Sequence, residues 1–334
     1  MKKIELGQFF TKKDIWLKPQ IKDFIINSNQ TTAFDPFAGS GDLLNVAKDL
    51  GFTSTIGLDI DTTLQWQIND SLKHIPSYPN AIIITNPPYL AKQSASRKNI
   101  NLSHYFNKTS YNDIYLIALD EMLKAQKYVV AIIPESFINS NYQQKSLLSS
   151  ITILEENPFT DTDCPVCVAC FDSIPKPLSE VKIYKNTQYI NTLQNIERLR
   201  LSPSNNINII FNDKQGWLGL RAIDSTNDKN FIQFSHKNEI NYDFANRIKE
   251  SSRHITLINI NIPENKKQAL INASNELINK LRQDSADILL TPFKGNTKKG
   301  TRRRRLDFRL ARAILEKSYQ SIMKDTPNEQ FNLF

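Results

Sequence analysis

The chain of 334 residues lacks long apolar runs. None approaches the roughly 18 consecutive apolar residues that a bilayer-spanning helix needs. The basic start of the chain, Met1-Lys2-Lys3, is followed by polar and charged residues and not by the apolar core of a secretory signal. With 40% hydrophobic residues, the chain can still bury a sizeable core. We therefore expect a cytoplasmic globular protein, and the length favours two domains.

Cysteine is also scarce, since the chain has only Cys164, Cys167 and Cys170. An odd number of cysteines in a reducing compartment argues against structural disulfides. Their C-x2-C-x2-C spacing resembles a metal or cluster site. However, the surrounding apolar residues predict a strand, in which Cys167 would face away from the other two. No fourth ligand is evident, so we predict no metal site.

Acidic residues are missing from residues 294–305, a run dense in lysine and arginine in a chain of net charge +8. Such a run is found on solvated faces, in localisation signals and in elements that contact phosphates. We favour phosphate contacts with a polyanionic partner. The predicted contact residues are Lys298, Lys299, Arg302, Arg303, Arg304 and Arg305.

Strand-like apolar runs alternate with helical patterns through the first half of the chain. The runs cover residues 32–34, 55–58, 81–84, 128–133, 151–154 and 166–171. Amphipathic helical patterns lie between them, for example at residues 43–50 and 114–123. This alternation predicts an α/β fold with a doubly wound, mostly parallel sheet that binds ligands at the carboxyl ends of its strands.

The alternation fades after Asp172, where prolines interrupt the sequence. We therefore predict a first domain over residues 1–173 and a mixed second region over residues 174–325. Residues 326–334 follow as a tail.

Two prolines end the apolar run at residues 81–85 abruptly, in the segment Asn86-Pro87-Pro88-Tyr89. The prolines fix φ and remove two backbone donors, which leaves rigid carbonyls free to accept hydrogen bonds. An amide, a carbonyl and an aromatic ring at the end of a strand suit a planar amino group, whose hydrogens two acceptors would hold. The alternative is an ordinary exit from a strand into a turn.

A glycine-containing loop with Asp35, Gly39 and Gly41 follows the first strand-like run and precedes a predicted helix. Glycines permit a tight turn and close approach of a ligand at a helix N-terminus. Asp59 ends the next strand-like run about 20 residues further on, which is the spacing at which a carboxylate can hold ribose hydroxyls. Because the loop lacks the full G-x-G-x-x-G pattern, a nucleoside with a small charged appendage fits better than a pyrophosphate.

These motifs resemble, in content and order, those of the gamma-class N6-adenine DNA methyltransferases. The resemblance covers residues 1 to about 173 and rests on residues 7–11 (Gly-Gln-Phe-Phe-Thr), residues 35–41, Asp59 and residues 86–89. It implies a Rossmann-like sheet of seven strands, the last antiparallel, and a C-terminal target-recognition region. It also implies methyl transfer from S-adenosylmethionine (SAM) to N6 of an adenine flipped out of double-stranded DNA.

The resemblance implies a role for each residue of the target site. Asn86 and the carbonyl of Pro87 would hold the target N6, and Tyr89 would stack on the flipped base, with Pro88 completing the motif. Phe159 is similar to the family's second aromatic residue, which meets the base edge-on. The alternative for Phe159 is a loop residue packed into the core.

Cofactor contacts are likewise implied by the resemblance. Thr11 and the backbone at residues 39–41 would hold the methionine part of SAM, and Asp35 would lie near its ammonium group. Asp59 would take the ribose hydroxyls, and Asp70 would accept from the adenine amino group. The full implied set is Thr11, Asp35, Phe37, Gly39, Gly41, Asp59, Ile60, Asp70 and Asn86.

Other enzymes are similar at residues 35–41 and 86–89: those that methylate a glutamine of a protein or N2 of a guanine in RNA. Residues 7–11 and the long basic C-terminal half favour DNA instead. A catalytically inactive DNA-binding module is a third alternative, although the motif residues are retained. Sequence readout would fall to the region from Glu180 to Arg305 and to the polar loop at residues 92–108.

The last five residues, from Gln330 to Phe334, resemble the peptide by which bacterial proteins dock on the replication sliding clamp. The clamp is therefore one predicted partner, although tails with aromatic residues also fold back onto their own domain. The resemblance further implies a restriction endonuclease as a genetic partner.

Overall fold

A computed structural model describes residues 13–107, 109–159, 162–227 and 230–324. The chain forms two compact units, Met1–Asn195 and Ile196–Phe334. The predicted Thr11 contact and the predicted clamp peptide lie outside the described residues.

The first unit is built on one large sheet. Its strands are β1 (Thr32–Asp35), β2 (Ser54–Asp59), β3 (Gln67–Ile68), β4 (Ala81–Thr85), β5 (Tyr128–Pro134), β6 (Leu148–Ile153), β7 (Val166–Phe171), β8 (Lys182–Lys185) and β9 (Gln188–Thr192). Their spatial order is β3-β2-β1-β4-β5-β7-β6-β8-β9. Strands β1 to β5 pair in parallel, whereas β7 is antiparallel to both β5 and β6.

The strand count differs from the prediction of seven, because the described part of this sheet has nine strands. Strand β8 pairs in parallel with β6, and β9 turns back on β8 as a hairpin. This extension also places the division between the units after Asn195, later than the predicted boundary at residue 173. The two added strands are mostly exposed or half-buried, so their sequences lack the apolar runs that mark the interior strands.

Helices of the first unit precede β1, lie between β1 and β2 and between β4 and β5, and follow β9. They are α1 (Lys13–Trp16), α2 (Pro19–Asn27), α3 (Asp42–Asp49), α4 (Lys92–Arg97), α5 (Ser103–Phe106) and α6 (Ile114–Ala125), while α7 (Leu193–Leu199) includes the point of division. Short 3-10 helices occupy Glu135–Asn139 and Lys145–Leu147. The buried core includes Trp16 and apolar side chains of α2, α3, β4, β5 and β7. The predicted helical patterns at residues 43–50 and 114–123 correspond to α3 and α6.

The second unit contains a four-stranded antiparallel sheet and a two-stranded hairpin. Its strands are β10 (Ile209–Phe211), β11 (Leu218–Arg221), β12 (Gln233–His236), β13 (Ile255–Ile260), β14 (Thr291–Asn296) and β15 (Arg302–Arg305). The sheet order is β10-β13-β11-β12, and β14 pairs with β15. Its helices are α8 (Phe244–Arg247), α9 (Lys267–Asp284) and α10 (Phe308–Lys324), with 3-10 turns at Lys237–Glu239 and Glu264–Lys266.

The cysteines lie in or beside β7, where the sequence predicts a strand. Cys167 and Cys170 are buried, Cys164 is half-buried, and all three are free thiols. Within the described residues, no group of His, Cys, Asp and Glu side chains is placed to hold a metal ion. No helix in that part of the chain has the length and apolarity to cross a membrane.

Candidate active site

Three of the predicted site residues meet at one edge of the first sheet. Asp35 ends β1, Asp59 ends β2, and Asn86 directly follows β4. Since β1 pairs in parallel with both β2 and β4, these carboxyl ends lie side by side. We call this location the carboxyl edge of the sheet. Ligands of open α/β sheets bind at such an edge.

Asp35 is buried at the carboxyl edge, with 2% of its surface exposed. Its Oδ1 accepts the hydroxyl of Thr85 at 2.5 Å and the backbone N–H of Phe37 at 3.0 Å. Burial raises the pKa of Asp35 to about 7, although both hydrogen bonds lower it, and the nearby carboxylate of Asp59 raises it further. Near neutral pH this carboxyl therefore exchanges between its acid and its carboxylate form.

The carboxylate of Asp59 holds the glycine loop in place. Its Oδ2 accepts the backbone N–H of Gly39 at 2.8 Å, and its Oδ1 accepts the backbone N–H of Asp61 at 2.9 Å. Gly39 and Gly41 have φ values of 50° and 83°, in the left-handed region that favours glycine. The loop conformation therefore depends on both the glycines and the carboxylate.

Trp66 supports the same loop, and the sequence analysis did not identify it. Its indole Nε1 donates to the carbonyl of Gly39 at 2.8 Å. Its ring lies against two glycines, because a Cβ on Gly57 or on Gly41 would come within 2.5 Å or 2.8 Å of ring carbons. A glycine inside a strand marks a close approach of another group, so Gly57 in β2 was the available signal.

Gly57→Ala is expected to lower the free energy of unfolding by about 1–3 kcal/mol, because the added methyl collides with the indole of Trp66. Urea denaturation of both proteins measures the difference. A double-mutant cycle with Trp66→Phe provides the control. Because the phenyl ring is smaller, Gly57→Ala should lower the free energy of unfolding less in the Trp66→Phe background. Additive effects of the two substitutions would show that this contact is not the cause.

A cavity of about 490 Å³ opens at the carboxyl edge, within the size range of small-molecule sites. Its lining includes five predicted site residues: Phe37, Asp59, Ile60, Asp70 and Pro88. Of the other predicted cofactor contacts within the described chain, Asp35, Gly39, Gly41 and Asn86 are outside this lining. The structure thus gathers the residues predicted for ribose and adenine around one space.

Asp70 uses its two carboxylate oxygens differently. Oδ2 accepts the ammonium of Lys73 at 2.8 Å and the hydroxyl of Tyr105 at 3.0 Å. Oδ1 is buried and has no hydrogen-bond partner among the described residues. Burying an acceptor without a hydrogen bond costs about 1–3 kcal/mol of free energy. A ligand that donates to this atom would recover that free energy on binding.

The other side of the cavity is formed by residues 92–106, which we call the wall segment. Its contributing residues are Lys98, Asn99, Ile100, Asn101, Leu102, His104 and Tyr105. We predicted the loop at residues 92–108 as part of the sequence-reading surface. Seven residues of this loop line the cavity, and a part for the loop in sequence reading stays a prediction.

The segment of residues 86–89 leaves the carboxyl edge with its aromatic ring turned inward. The hydroxyl of Tyr89 lies within hydrogen-bonding distance of two acceptors, the carbonyl of Ile132 at 2.6 Å and the side-chain oxygen of Asn86, and its one proton can be donated to either. The ring of Tyr89 lies edge-on to Tyr115 and 6.3 Å from the ring of Phe159. In this conformation the hydroxyl holds the Asn86 oxygen that the resemblance assigns to a target amino group.

Phe159 is packed into the core, which is one of the two alternatives offered by the sequence, and its contact with a flipped base stays a prediction. It is 4% exposed and belongs to the core cluster of the first unit. It is nevertheless the ring next to Tyr89, so core packing places it beside the target segment.

The structure corrects part of the predicted phosphate-contact set in residues 294–305, which we call the cationic run. Arg302 and Arg304 are only 4% and 1% exposed. Alternate residues of a strand face opposite sides, so β15 turns these two arginines inward. The backbone N–H of Arg304 also donates to the buried carboxylate of Asp224 at 3.1 Å. We therefore withdraw Arg302 and Arg304 as phosphate contacts.

The remaining cations of the run differ in exposure. Lys298 and Lys299 are exposed between β14 and β15, whereas Arg303 and Arg305 are half-buried. The Nε of Arg303 donates to the backbone carbonyl of Asp224 at 2.8 Å. Phosphate contacts by Lys298, Lys299, Arg303 and Arg305 stay a prediction.

Residues 80–161 match the family model of the Eco57I restriction-modification methylases. The match covers less than half of the chain and includes residues 86–89 and Phe159. It supports a methyltransferase of the restriction-modification type. No curated protein sequence matches the chain.

Several solved structures are similar at low identity. A protein from Listeria monocytogenes described as a class I SAM-dependent methyltransferase is 12% identical over 50% of this chain and 65% of that chain, with a TM-score of 0.35. The type I restriction-modification methyltransferase subunit from Streptococcus thermophilus is 20% identical over 57% and 53%, with a TM-score of 0.37. The M protein of the type I restriction enzyme EcoKI is 14% identical over 84% and 72%, with a TM-score of 0.35. The chain spans less than two thirds of the first two, and at these scores the likenesses carry no functional argument.

Proposed function

We propose that this protein is a SAM-dependent DNA methyltransferase that modifies N6 of adenine. The observation that carries the proposal is the position of Asn86-Pro87-Pro88-Tyr89 at the carboxyl edge, next to a cavity lined by Asp59 and Asp70. The match of residues 80–161 to restriction-modification methylases supports it. We assign DNA contacts and sequence recognition to the second unit, which carries the exposed lysines of the cationic run.

The residues of the cavity fit an adenosyl cofactor. The buried Oδ1 of Asp70 is suited to an adenine amino group, because that atom lacks a donor among the described residues. Asp59 would hold the ribose, and Asp35 with the glycine loop would hold the charged end. When bound, SAM would supply a methyl group that its sulfonium already activates: the N6 lone pair would take the methyl as the bond to sulfur breaks, S-adenosylhomocysteine would leave, and the displaced N6 proton would pass to solvent.

The protein's contribution is positioning and electrostatic stabilisation. The Asn86 oxygen and the Pro87 carbonyl would accept the two hydrogens of the target amino group, which directs its lone pair toward the methyl group. The Tyr89 hydroxyl must first leave the Asn86 oxygen, and it keeps the Ile132 carbonyl as an acceptor when it does. A duplex hides N6, so the base must be extruded at a cost of a few kcal/mol. Stacking on Tyr89, which contributes about 1–3 kcal/mol, offsets part of this cost.

The affinity for SAM should increase as the pH rises through about 7. The free protein keeps Asp35 protonated up to a pKa of about 7, and only the ionised carboxylate attracts an ammonium group. Well below pH 7, the dissociation constant should therefore fall about tenfold for each unit by which the pH is raised, and it should level off above pH 7. Calorimetric titration between pH 5.5 and 8.5 measures this, and Asp35→Asn should bind more weakly with a flat profile over that range.

The proposed function is tested by incubating the protein with methyl-labelled SAM and DNA from a host that lacks adenine methylation. We expect label in the DNA, recovered as N6-methyladenine after digestion to nucleosides. Parallel reactions offer ribosomal RNA and release-factor protein, the substrates of the alternative enzymes. Label in either of these and none in DNA would overturn the proposal.

A further inference from the structure

The wall segment has an apolar core of its own. Ala95 and Phe106 are buried in a cluster with Leu90, Ile114 and Ile117, separate from the main core of the first unit. The segment directly follows the Asn86–Tyr89 turn in the chain, and its inner face lines the cavity. It therefore has the support needed to hold a side chain in a fixed position against a ligand.

Asp113, seven residues after the wall segment, contacts the two residues that precede the segment. Its carboxylate accepts the backbone N–H of Leu90 at 3.2 Å, and it forms a bridge with Ala91. The backbone N–H of Lys92 donates to the carbonyl of Asn112 at 2.9 Å. The chain before the wall segment and the chain at residues 112–113 are thus held together, next to residues 86–89.

Tyr105 is the side chain by which the wall segment reaches the opposite side of the cavity. Its hydroxyl donates to Oδ2 of Asp70 at 3.0 Å. Burial and the hydrogen bond to Asp70 both raise the pKa of Tyr105, so its phenol stays protonated and remains a donor. Lys73 shares the same oxygen, but the lysine side chain is 63% exposed, and such ion pairs contribute little. The phenol is therefore the better-fixed partner of Asp70.

We propose that Tyr105 is a positioning residue that sets the selectivity of the cavity for an adenine base. By holding Oδ2 of Asp70, the phenol leaves Oδ1 as the carboxylate oxygen without a donor among the described residues, in a side chain that lines the cavity. That atom accepts from an exocyclic amino group and repels a carbonyl oxygen at the same ring position. This inference rests on the proposed function, because it takes the cavity as the adenosyl site.

The inference is tested by calorimetric titration of the full chain with two ligands, S-adenosylhomocysteine and S-inosylhomocysteine, which differ by an amino group and a carbonyl oxygen. The wild type should prefer the adenosyl ligand. Tyr105→Phe should weaken adenosyl binding about tenfold, since a hydrogen bond to a charged group is lost. It should weaken inosyl binding by a smaller factor, so the ratio of the two dissociation constants should move closer to one.

Tyr111→Phe is the matched control. It is the same substitution just beyond the wall segment, and the Tyr111 hydroxyl bonds Asp120 at 3.3 Å and is not in the cavity lining. Both affinities should match those of the wild type. Asp70→Asn provides a second variant, in which an amide can turn its donor toward the ligand and shift the preference toward the inosyl compound.

The outcomes separate the two proposals. A wild type that binds neither ligand would overturn the proposed function and the inference together. A wild type that prefers the adenosyl ligand, with Tyr105→Phe weakening both ligands equally or neither, would overturn only the role of Tyr105. Equal weakening would mean that Tyr105 supports the cavity without directing Asp70.

Discussion

Replacement of Asn86 by alanine is expected to reduce methyl transfer at least about a hundredfold while leaving SAM affinity within about twofold of the wild type. Removing one preorganised hydrogen-bonding group that acts in the transition state costs about 10²–10³ in kcat. Asn86 lies at the carboxyl edge but outside the lining of the cavity, so the adenosyl contacts should persist. Single-turnover transfer and calorimetric binding measure the two quantities separately.

Asn86→Asp is the control for this prediction, because it keeps an acceptor oxygen of nearly the same shape and position. It should retain measurable transfer where the alanine variant does not. If Asn86→Ala transferred methyl groups at the wild-type rate, residues 86–89 would be an ordinary strand exit and the proposed target site would be lost.

Several features of the site could be predicted because they depend on local sequence. Buried parallel strands read as continuous apolar runs, so β4 and its end at Asn86 are visible without a structure. The same holds for β1 and β2, which end at Asp35 and Asp59. Once the strands are parallel neighbours, the meeting of these three residues at one edge follows from the topology.

The wall segment could not be predicted, because its role depends on contacts between distant positions. Residues 92–108 are polar and carry no acid, which favours an exposed loop. The structure shows that the apolar residues among them share a small cluster, and that Tyr105 bonds Asp70, 35 positions earlier in the chain. Nothing in the sequence around Tyr105 or around Asp70 indicates that the two side chains form a hydrogen bond.

The prediction that Arg302 and Arg304 contact phosphates failed for a related reason. Four consecutive arginines suggest a solvated face, but a strand with one side buried turns every second residue inward whatever its charge. Asp224, about 80 positions earlier in the chain, lies beside this strand and accepts the backbone N–H of Arg304. The pairing of β15 with β14, and not the composition, therefore decides which cations reach solvent.

Asp224 is expected to be the most costly single charge to remove from the second unit. Its carboxylate is 3% exposed and makes two bonds to the guanidinium of Arg282, at 2.9 Å and 3.0 Å. It also accepts the backbone N–H groups of Ile232 and Arg304. Arg282 keeps a second partner, because its Nε also lies 2.7 Å from Oδ1 of Asp287. Asp224→Ala still leaves two backbone N–H groups and one side of the guanidinium without an acceptor, so it should lower the free energy of unfolding by about 3 kcal/mol.

Urea denaturation followed by circular dichroism measures this loss. The control is Lys280→Ala, which breaks the pair between Lys280 and Asp284 at 3.0 Å, where the lysine side chain is 70% exposed. Exposed pairs contribute about 0–1 kcal/mol, so this variant should remain close to the wild type. Equal effects of the two substitutions would mean that the Asp224 carboxylate is solvated and that its pair with Arg282 contributes no more than an exposed one.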